Sequence, residues 1–225
     1  TDMLIVMART GVAGAKGISA FAVPADLPGI RYGKKEDKMG WNSQPTRAIF
    51  FDDVRVPAAN RLGEEGEGFR IAMKGLDGGR INIATCSVGA AQGAFNAAQR
   101  YLGERQQFGK KLADFQALQF RLADMATELV AARQMIRLAA SKLDAAAPDT
   151  SIYCAMAKRF ATDAGFNICN EALQLHGGYG YLRDYPLERL LRDSRVHQIL
   201  EGSNEIMRVI IARRMLEADA PDSIR

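Results

Sequence analysis

The sequence predicts an α+β fold, with a partial β-domain over residues 1–62 followed by an antiparallel four-helix-bundle-type α-domain over residues 63–225. The first 62 residues hold short β-prone runs separated by glycine and proline, whereas the rest is rich in alanine, leucine, methionine and glutamine. The hydrophobic period also lengthens from about two residues to about three and a half after residues 63–68. That glycine-rich segment is the expected hinge between the domains.

Three β-prone runs are the expected strands of the first domain. They lie at residues 4–7, 18–23 and 47–51, and turn-forming segments such as 24–29 separate them. Because the chain opens directly on the first run, we expect it to begin inside a domain, and it carries no information about targeting.

Three long helices are expected in the second domain, because apolar residues recur there in alternating steps of three and four. These apolar seams run from Ile81 to Leu102, from Phe115 to Leu143 and from Tyr153 to Leu175. Residues 76–80 are interpreted as the boundary that opens the first helix, Asp114 as the N-cap of the second, and residues 177–178 as the stop of the third. A short helix near 186–192 and a final helix over about 204–216 complete the bundle.

The composition argues against several classes of function. No apolar run is long enough to span a bilayer. The net charge of +4 is scattered, without the clustered basic face of a nucleic-acid-binding protein. No G-x-G-x-x-G fingerprint follows a strand, which argues against a Rossmann site. The widely spaced Cys86, Cys154 and Cys169 form no metal-ligand cluster, and an odd number of cysteines buried in helices suits a reducing compartment.

Glu201 is the candidate general base. It follows Ile199 and Leu200, which would partly desolvate its carboxyl group and raise its affinity for protons. Gly202 leaves room for a ligand, and Ser203 can cap the next helix, whose free N–H groups suit an anion or a developing oxyanion. From these residues alone, an exposed loop glutamate ahead of a helix cap is the simpler interpretation.

Two further turns are candidates for ligand binding. Residues 104–110 combine the fixed cation of Arg105 with amide donors, an aromatic face and a glycine, a set suited to a phosphate and a flat ring. The glycines of residues 174–181 either admit a ligand to the backbone or serve as an ordinary helix C-cap and turn. His176 lacks a nearby serine or cysteine nucleophile motif, so we interpret it as structural or ligand-contacting.

Several motifs in order and at matching spacing resemble the acyl-CoA dehydrogenase family. They are residues 39–41, 51–57, 66–69, 105–109, 174–180 and 200–203. Within that family, residues 76–84 and 193–205 are most similar to members acting on a short, branched acyl chain. The resemblance covers essentially the whole chain, but the family's N-terminal helical domain and several strands have no counterpart here. We therefore expect this chain alone to bind FAD poorly and to turn over little substrate.

The resemblance implies an FAD-dependent α,β-dehydrogenation of an acyl-CoA thioester. Glu201 would remove the α-proton while the β-hydrogen leaves as hydride to flavin N5. The thioester oxygen would be polarised by the Glu201 backbone N–H and a ribityl hydroxyl of FAD. Some relatives carry the base at the position of Gly79, and since glycine takes no proton, Glu201 remains the candidate.

The resemblance also assigns binding residues. The FAD adenosine and pyrophosphate would be held by Arg105, Phe115, Gln116, Gln174, Leu175, His176, Gly177 and Gly178, reaching the flavin of a neighbouring subunit. The flavin of the same subunit would be contacted by Ser203, Asn204 and Glu205. The acyl-CoA thioester would be lined by Asp77, Gly78, Gly79, Arg80 and Arg213. For Arg213, a solvated cation in the last turn of a helix is the plain alternative.

The implied assembly is a homotetramer, a dimer of dimers that shares FAD across subunits, with electron-transfer flavoprotein as the electron acceptor. The implied location is the cytoplasm in a bacterium or the mitochondrial matrix in a eukaryote. Two alternatives stay open: a non-catalytic helical oligomerisation module, and an acyl-CoA oxidase-type flavoenzyme that passes electrons to oxygen.

Overall fold

The computed structural model describes residues 1–216, and the chain divides into two compact units. The first comprises residues 1–38 and 42–76, and the second comprises residues 39–41 together with the chain from Asp77 onward. The expected α+β class is confirmed. The division by packing falls after Leu76, whereas the sequence pattern placed a boundary at residue 62.

The first unit is built on short antiparallel strands. β1 (Met3–Arg9) pairs with β2 (Ile18–Pro24), and β3 (Ile30–Tyr32) pairs with β4 (Ile49–Phe51). β5 (Arg61–Leu62) adds to the other edge of β2. Side chains alternate along β1 between exposed and half-buried, as a period of two predicts. The three expected strands are confirmed, while β3 and β5 lie outside the prediction because such short runs show no recognisable period.

The second unit is helical. Its helices are α1 (Gly68–Glu104, which begins in the first unit), α2 (Gln116–Asp144), α3 (Thr150–His176), α4 (Leu187–Arg195) and α5 (Asn204–Met215). A small hairpin of β6 (Gln106–Gln107) and β7 (Lys110–Lys111) joins α1 to α2. Helix α3 is central, because α2, α4 and α5 all pack against it. The short link between α2 and α3 makes these two helices antiparallel neighbours.

Small side chains dominate the helical core. Alanines line the facing surfaces of α1, α2 and α3, while larger residues such as Leu102, Leu129 and Ile168 fill the space between them. Gly165 of α3 lies so close to α1 that a Cβ there would be 2.4 Å from the Ser87 hydroxyl oxygen. The helix axes therefore approach closely, and α3 is held firmly enough to serve as a base for the residues packed on it.

Two helix boundaries expected from the sequence are wrong. Helix α1 begins at Gly68 and runs unbroken through residues 76–80, because tertiary packing of its apolar face overrides the roughly 1 kcal/mol cost of each interior glycine. Asp114 is not the N-cap of α2. It ends a short 3₁₀ turn, where its carboxylate accepts a hydrogen bond from the Lys111 backbone N–H at 3.2 Å, and Phe115 takes the cap position.

The expected end of α3 is confirmed, whereas the expected burial of all three cysteines is wrong. Helix α3 ends where expected, at Gly177, whose φ of 58° lies in the left-handed region that favours glycine. Cys154 and Cys169 are buried, but Cys86 is exposed on α1, contrary to expectation. Over residues 1–216, no helix is both long and apolar enough to cross a membrane, and no group of three or more potential metal ligands occurs.

Candidate active site

Glu201 lies in a tight turn between a short 3₁₀ turn and α5. Its φ is 55° and that of Gly202 is 91°, so two consecutive residues adopt left-handed conformations. For a residue with a side chain this costs roughly 1–3 kcal/mol and persists only when the surroundings enforce it. The turn directs the carboxylate at α1, where a Cβ on Gly79 would lie 2.3 Å from Oε2 and 2.7 Å from Cδ of Glu201. Because Gly79 has no side chain, the Glu201 carboxylate occupies the space beside it.

The expected source of desolvation is only partly present. Ile199 is 55% exposed, so it does not cover the carboxyl group as the sequence suggested. Leu200 and Glu201 itself are half-buried. The backbone of α1 at Gly79 lies close against the carboxylate.

Lys158 of α3 lies beneath this turn and is completely buried. Its Nζ donates hydrogen bonds to the Gly202 carbonyl oxygen at 2.8 Å and to Asn204 Oδ1 at 2.9 Å. Burial lowers the pKa of the Lys158 ammonium to about 8, against the opposing pull of nearby carboxylates. The two oxygens flank Ser203, so one side chain fixes the backbone that directly follows Glu201.

Asn204 and Gln198 attach the turn to α3 from both sides. The Asn204 amide Nδ2 donates to Asp163 Oδ1 at 2.7 Å and to Thr162 Oγ1 at 2.9 Å. Gln198 Nε2, on the other side of Glu201, donates to the same Asp163 oxygen at 2.8 Å. Asn204 is 97% buried and its side chain is engaged in this network, and its flavin contact remains a prediction.

Ser203 and Glu205 open α5 without the expected side-chain cap. Ser203 occupies the N-cap position but makes no cap hydrogen bond with its hydroxyl. Hydrogen bonds from the Glu205 backbone N–H and the Ser203 hydroxyl hold the pKa of the Glu205 carboxyl below its usual range. Ser203 is half-buried and Glu205 is exposed, and the cofactor contact of both remains a prediction.

The predicted thioester-lining residues of α1 form an ordered strip. Arg80 is 6% exposed and its guanidinium donates to Asp77 Oδ1 at 2.7 Å, which also accepts from the Ser151 hydroxyl at 3.1 Å. Within residues 1–216, the Arg80 Nε has no hydrogen-bond partner. Between Asp77 and Arg80, a Cβ on Gly78 would meet nothing within 4 Å, whereas the space beside Gly79 holds the Glu201 carboxylate. Arg213 is exposed in the last turn of α5, which agrees with the alternative interpretation of this residue as a solvated cation at a helix end.

A second concave site lies where α1 gives way to the β6–β7 hairpin and α3 ends. It is a cavity of about 620 Å³. Of the predicted cofactor residues, the cavity wall includes Arg105, Gln174, Leu175, His176, Gly177 and Gly178. A Cβ on either glycine would meet nothing within 4 Å, so the backbone there is open to a ligand. Phe115 and Gln116 do not line this cavity; Phe115 instead packs edge-on against Phe108.

Aromatic rings stack behind this cavity. Tyr101 stacks on His176 with ring centroids 4.3 Å apart, and the Arg105 guanidinium lies 5.5 Å from the Tyr179 ring centroid. His176 Nδ1 lies 2.8 Å from the Ala172 carbonyl, so this nitrogen carries the proton and Nε2 is left as an acceptor. Burial lowers the pKa of His176, which keeps the ring neutral.

A third cluster joins the Met39–Trp41 motif to α4. The Trp41 indole N–H donates to His197 Nε2 at 3.0 Å, and the Trp41 backbone N–H donates to Asp193 Oδ1 at 2.7 Å. Burial lowers the pKa of His197 to about 4, so the ring is neutral and its Nε2 can accept the hydrogen bond from the indole N–H. A Cβ on Gly40 would lie 2.7 Å from the Arg192 carbonyl oxygen, which explains the glycine of the motif. This cluster fixes the segment that leads into Gln198 and Glu201.

Sequence reasoning missed Lys158, Thr162 and Asp163. The one available signal is a lysine and a threonine four residues apart on α3 among alanines, a spacing that places both on one face of a helix. Because lysines usually line the solvated face of a helix, this signal alone does not indicate burial.

Comparison with known proteins matches nearly all of the chain. Residues 66–216 match the family model described as acyl-CoA dehydrogenase, C-terminal domain. Residues 1–54 match a second model, described as acyl-CoA dehydrogenase, middle domain. Mitochondrial isobutyryl-CoA dehydrogenase of Bos taurus is 59% identical over 216 residues, which cover 96% of this chain and 52% of that protein. A caffeyl-CoA reductase–Etf complex subunit, CarC, of Acetobacterium woodii is 45% identical over 217 residues, covering 96% of this chain and 57% of that protein.

A solved structure has the same fold. Butyryl-CoA dehydrogenase from Megasphaera elsdenii superposes with a TM-score of 0.93 at 45% sequence identity, covering 96% of this chain and 56% of that one. The chain thus spans about half the length of the curated relatives it matches.

Proposed function

Because the chain belongs to the acyl-CoA dehydrogenase family, we propose that it carries the catalytic base of an enzyme that dehydrogenates a short, branched acyl-CoA thioester. Isobutyryl-CoA is the leading candidate substrate. The observation that carries the proposal is the Glu201 carboxylate, aimed from a left-handed turn into the space left by Gly79 on α1.

Glu201 acts as the base that removes the α-proton of the thioester. A carboxylate is a weak base for a carbon-bound proton, so the thioester oxygen must be stabilised as charge develops on it. Within residues 1–216, the Glu201 backbone N–H makes no hydrogen bond, and it is available as one such donor. The Glu201–Gly202 turn thereby offers both the base and an oxyanion donor from one residue.

The residues of the helix-end cavity suit the adenosine and pyrophosphate portion of FAD, on which members of this family depend. Arg105 supplies a positive charge at the wall, and Arg121, although paired with Glu171 at 2.6 Å, supplies a second. The open backbone at Gly177 and Gly178 admits phosphate oxygens, and the volume lies in the usual range for a ligand site. When bound, FAD supplies the acceptor for two electrons.

Substrate, partner and assembly follow from the family and its relatives. Asp77, Arg80 and the two intervening glycines line the thioester, with the Asp77–Arg80 pair fixing that stretch of α1. Electron-transfer flavoprotein is the acceptor, in keeping with the Etf-complex relative. FAD is shared between subunits of a homotetramer. The protein works in the mitochondrial matrix if the source is eukaryotic, or in the cytoplasm if it is bacterial; the bovine relative is mitochondrial.

The test uses FAD-loaded protein, meaning this chain extended to the full length of its curated relatives. It is mixed anaerobically with isobutyryl-CoA, and loss of the flavin's visible absorbance is followed. Glu201→Gln is expected to keep FAD and acyl-CoA binding and to slow the reaction by roughly 10³-fold or more, since only proton transfer is removed. Glu128→Gln, at an exposed position of α2, is the matched control and should react as the parent does.

Three outcomes would redirect the proposal. Wild-type rates in Glu201→Gln would remove Glu201 from its role. Absence of flavin reduction by any short acyl-CoA, in protein that does hold FAD, would favour the non-catalytic module. Release of peroxide in air at the turnover rate would favour the oxidase.

A further inference from the structure

Lys158 is a buried cation that no step of the proposed reaction uses. Its side chain has no exposed surface, and over residues 1–216 no carboxylate oxygen lies within 4.0 Å of its Nζ. Both of its hydrogen bonds go to neutral oxygens, the Gly202 carbonyl and the Asn204 amide. A buried charge is costly unless it is well paired, so a lysine in place of a methionine or leucine points to a specific task.

The two oxygens define that task. They belong to Gly202 and Asn204, so one ammonium bridges the end of the left-handed turn and the start of α5. By fixing the direction of the Gly202 carbonyl, the ammonium fixes the peptide plane that follows the turn. The φ of 55° at Glu201 is unfavourable by itself and requires such an external constraint.

The backbone that carries Lys158 is held in place by the packing of its helix. Lys158 extends from α3, which is packed against α2, α4 and α5. The neighbouring α3 residues Thr162 and Asp163 bond to Asn204, but neither bonds to the turn residue Gly202. Of the α3 residues in this network, Lys158 is thus the one that contacts the backbone of the catalytic turn directly.

We propose that Lys158 is a positioning residue that holds the Glu201–Gly202 turn in its left-handed form and so keeps the Glu201 carboxylate against Gly79. The inference rests on the proposed function of Glu201. It adds a determinant on a different helix, through which the packing of α3 sets the position of the base.

The test compares Lys158→Met with Thr162→Val. Lys158→Met keeps an unbranched apolar stem that is one atom shorter than lysine, and it removes both hydrogen bonds of the ammonium. Thr162→Val removes a buried hydroxyl from the same network without touching Gly202. In the FAD-loaded protein, Lys158→Met is expected to lower kcat by about 10²-fold, the effect of roughly 1 Å of misplacement, with KM for isobutyryl-CoA and FAD content within about threefold of the parent. Thr162→Val is expected to lower stability but to keep kcat within about threefold.

A second readout does not depend on activity. In the 225-residue chain without FAD, hydrogen–deuterium exchange of residues 199–204 is expected to be at least about tenfold faster in Lys158→Met than in Thr162→Val. Lys158→Gln, which keeps an N–H donor, should lie between the parent and Lys158→Met in both measurements.

The outcomes separate the two proposals. Equal kcat and equal exchange in Lys158→Met and Thr162→Val would overturn the positioning role. So would failure of both Lys158 variants to fold while Thr162→Val folds, since Lys158 would then serve the fold as a whole. If Glu201→Gln is inactive, either result concerns Lys158 alone, whereas an active Glu201→Gln would refute the proposed function.

Discussion

Filling the space at Gly79 should disable the proposed base without unfolding the protein. An alanine at this position places its Cβ 2.3 Å from Glu201 Oε2, whereas ordinary contact begins at 3.4 Å. The obstacle is the far end of a flexible side chain and not backbone, so the carboxylate should swing away by about 1 Å while α1 stays in place. A displacement of this size at a reacting group costs about 10²-fold in rate, or about 2.7 kcal/mol of barrier.

The stability of Gly79→Ala should change little. Alanine gains about 0.5–1 kcal/mol over glycine in a helix interior, and moving Glu201 off its preferred rotamer costs about 0.5–1.5 kcal/mol. Gly89→Ala is the matched control on the same helix, since a Cβ at Gly89 meets nothing within 4 Å. It should be stabilised by about 0.5–1 kcal/mol and keep full activity.

The assay is kcat with isobutyryl-CoA in FAD-loaded protein, alongside the free energy of unfolding. Low kcat and near-parental stability in Gly79→Ala, with parental kcat in Gly89→Ala, is the expected pattern. If Gly79→Ala keeps a kcat within about twofold of Gly89→Ala, the carboxylate of the working enzyme does not lie against α1 at this point, and the reasoning fails.

Three further predictions concern buried groups. Asn204→Ala should lower the free energy of unfolding by about 2–3 kcal/mol, because it leaves buried hydrogen-bond partners unsatisfied. Asn96→Ala, at an exposed position, should change it by no more than about 0.5 kcal/mol. Equal effects of the two substitutions in denaturant titrations would contradict the buried network. The pKa of His197 is about 4 in the folded protein and about 6.5 in the unfolded chain, so the unfolded chain binds the extra proton between these values. The free energy of unfolding should therefore fall as the pH drops from 6.5 toward 4, by at most about 3 kcal/mol. In His197→Asn this dependence on pH should be weaker. Burial raises the pKa of the Cys154 and Cys169 thiols to about 11. Under native conditions at about pH 8, a thiol reagent should therefore modify Cys86 alone. Modification of all three cysteines in folded protein would refute the burial of Cys154 and Cys169.

The sequence predicted the helices better than their ends. The apolar seams of α1, α2 and α3 follow the helical period closely, and packing preserves them. The apparent boundary at residues 76–80 was inferred from local glycine propensity, which tertiary packing overrode in α1. At Asp114 a good capping residue was available, but a preceding 3₁₀ turn used its carboxylate for the Lys111 N–H.

The candidate site was predictable in part. Motif similarity selected Glu201 and the residues around Arg105 and Gln174, which lie at turns or helix ends. It also selected Gly79, which lies inside α1, where the Glu201 carboxylate leaves no room for a side chain. The supporting lysine on α3 was not predictable, because its role depends on the turn 43 residues later in the chain folding back onto it. The expected desolvation by Ile199 also failed, since sequence neighbours of a turn residue need not cover it in space.

The α-hydrogen of the thioester offers the most direct measurement of the central claim. FAD-loaded protein incubated anaerobically with isobutyryl-CoA in D₂O should exchange that hydrogen for deuterium, detected by mass spectrometry of the recovered thioester, and Glu201→Gln should abolish the exchange while still binding the thioester. Exchange at the parental rate in Glu201→Gln would show that another group removes the proton.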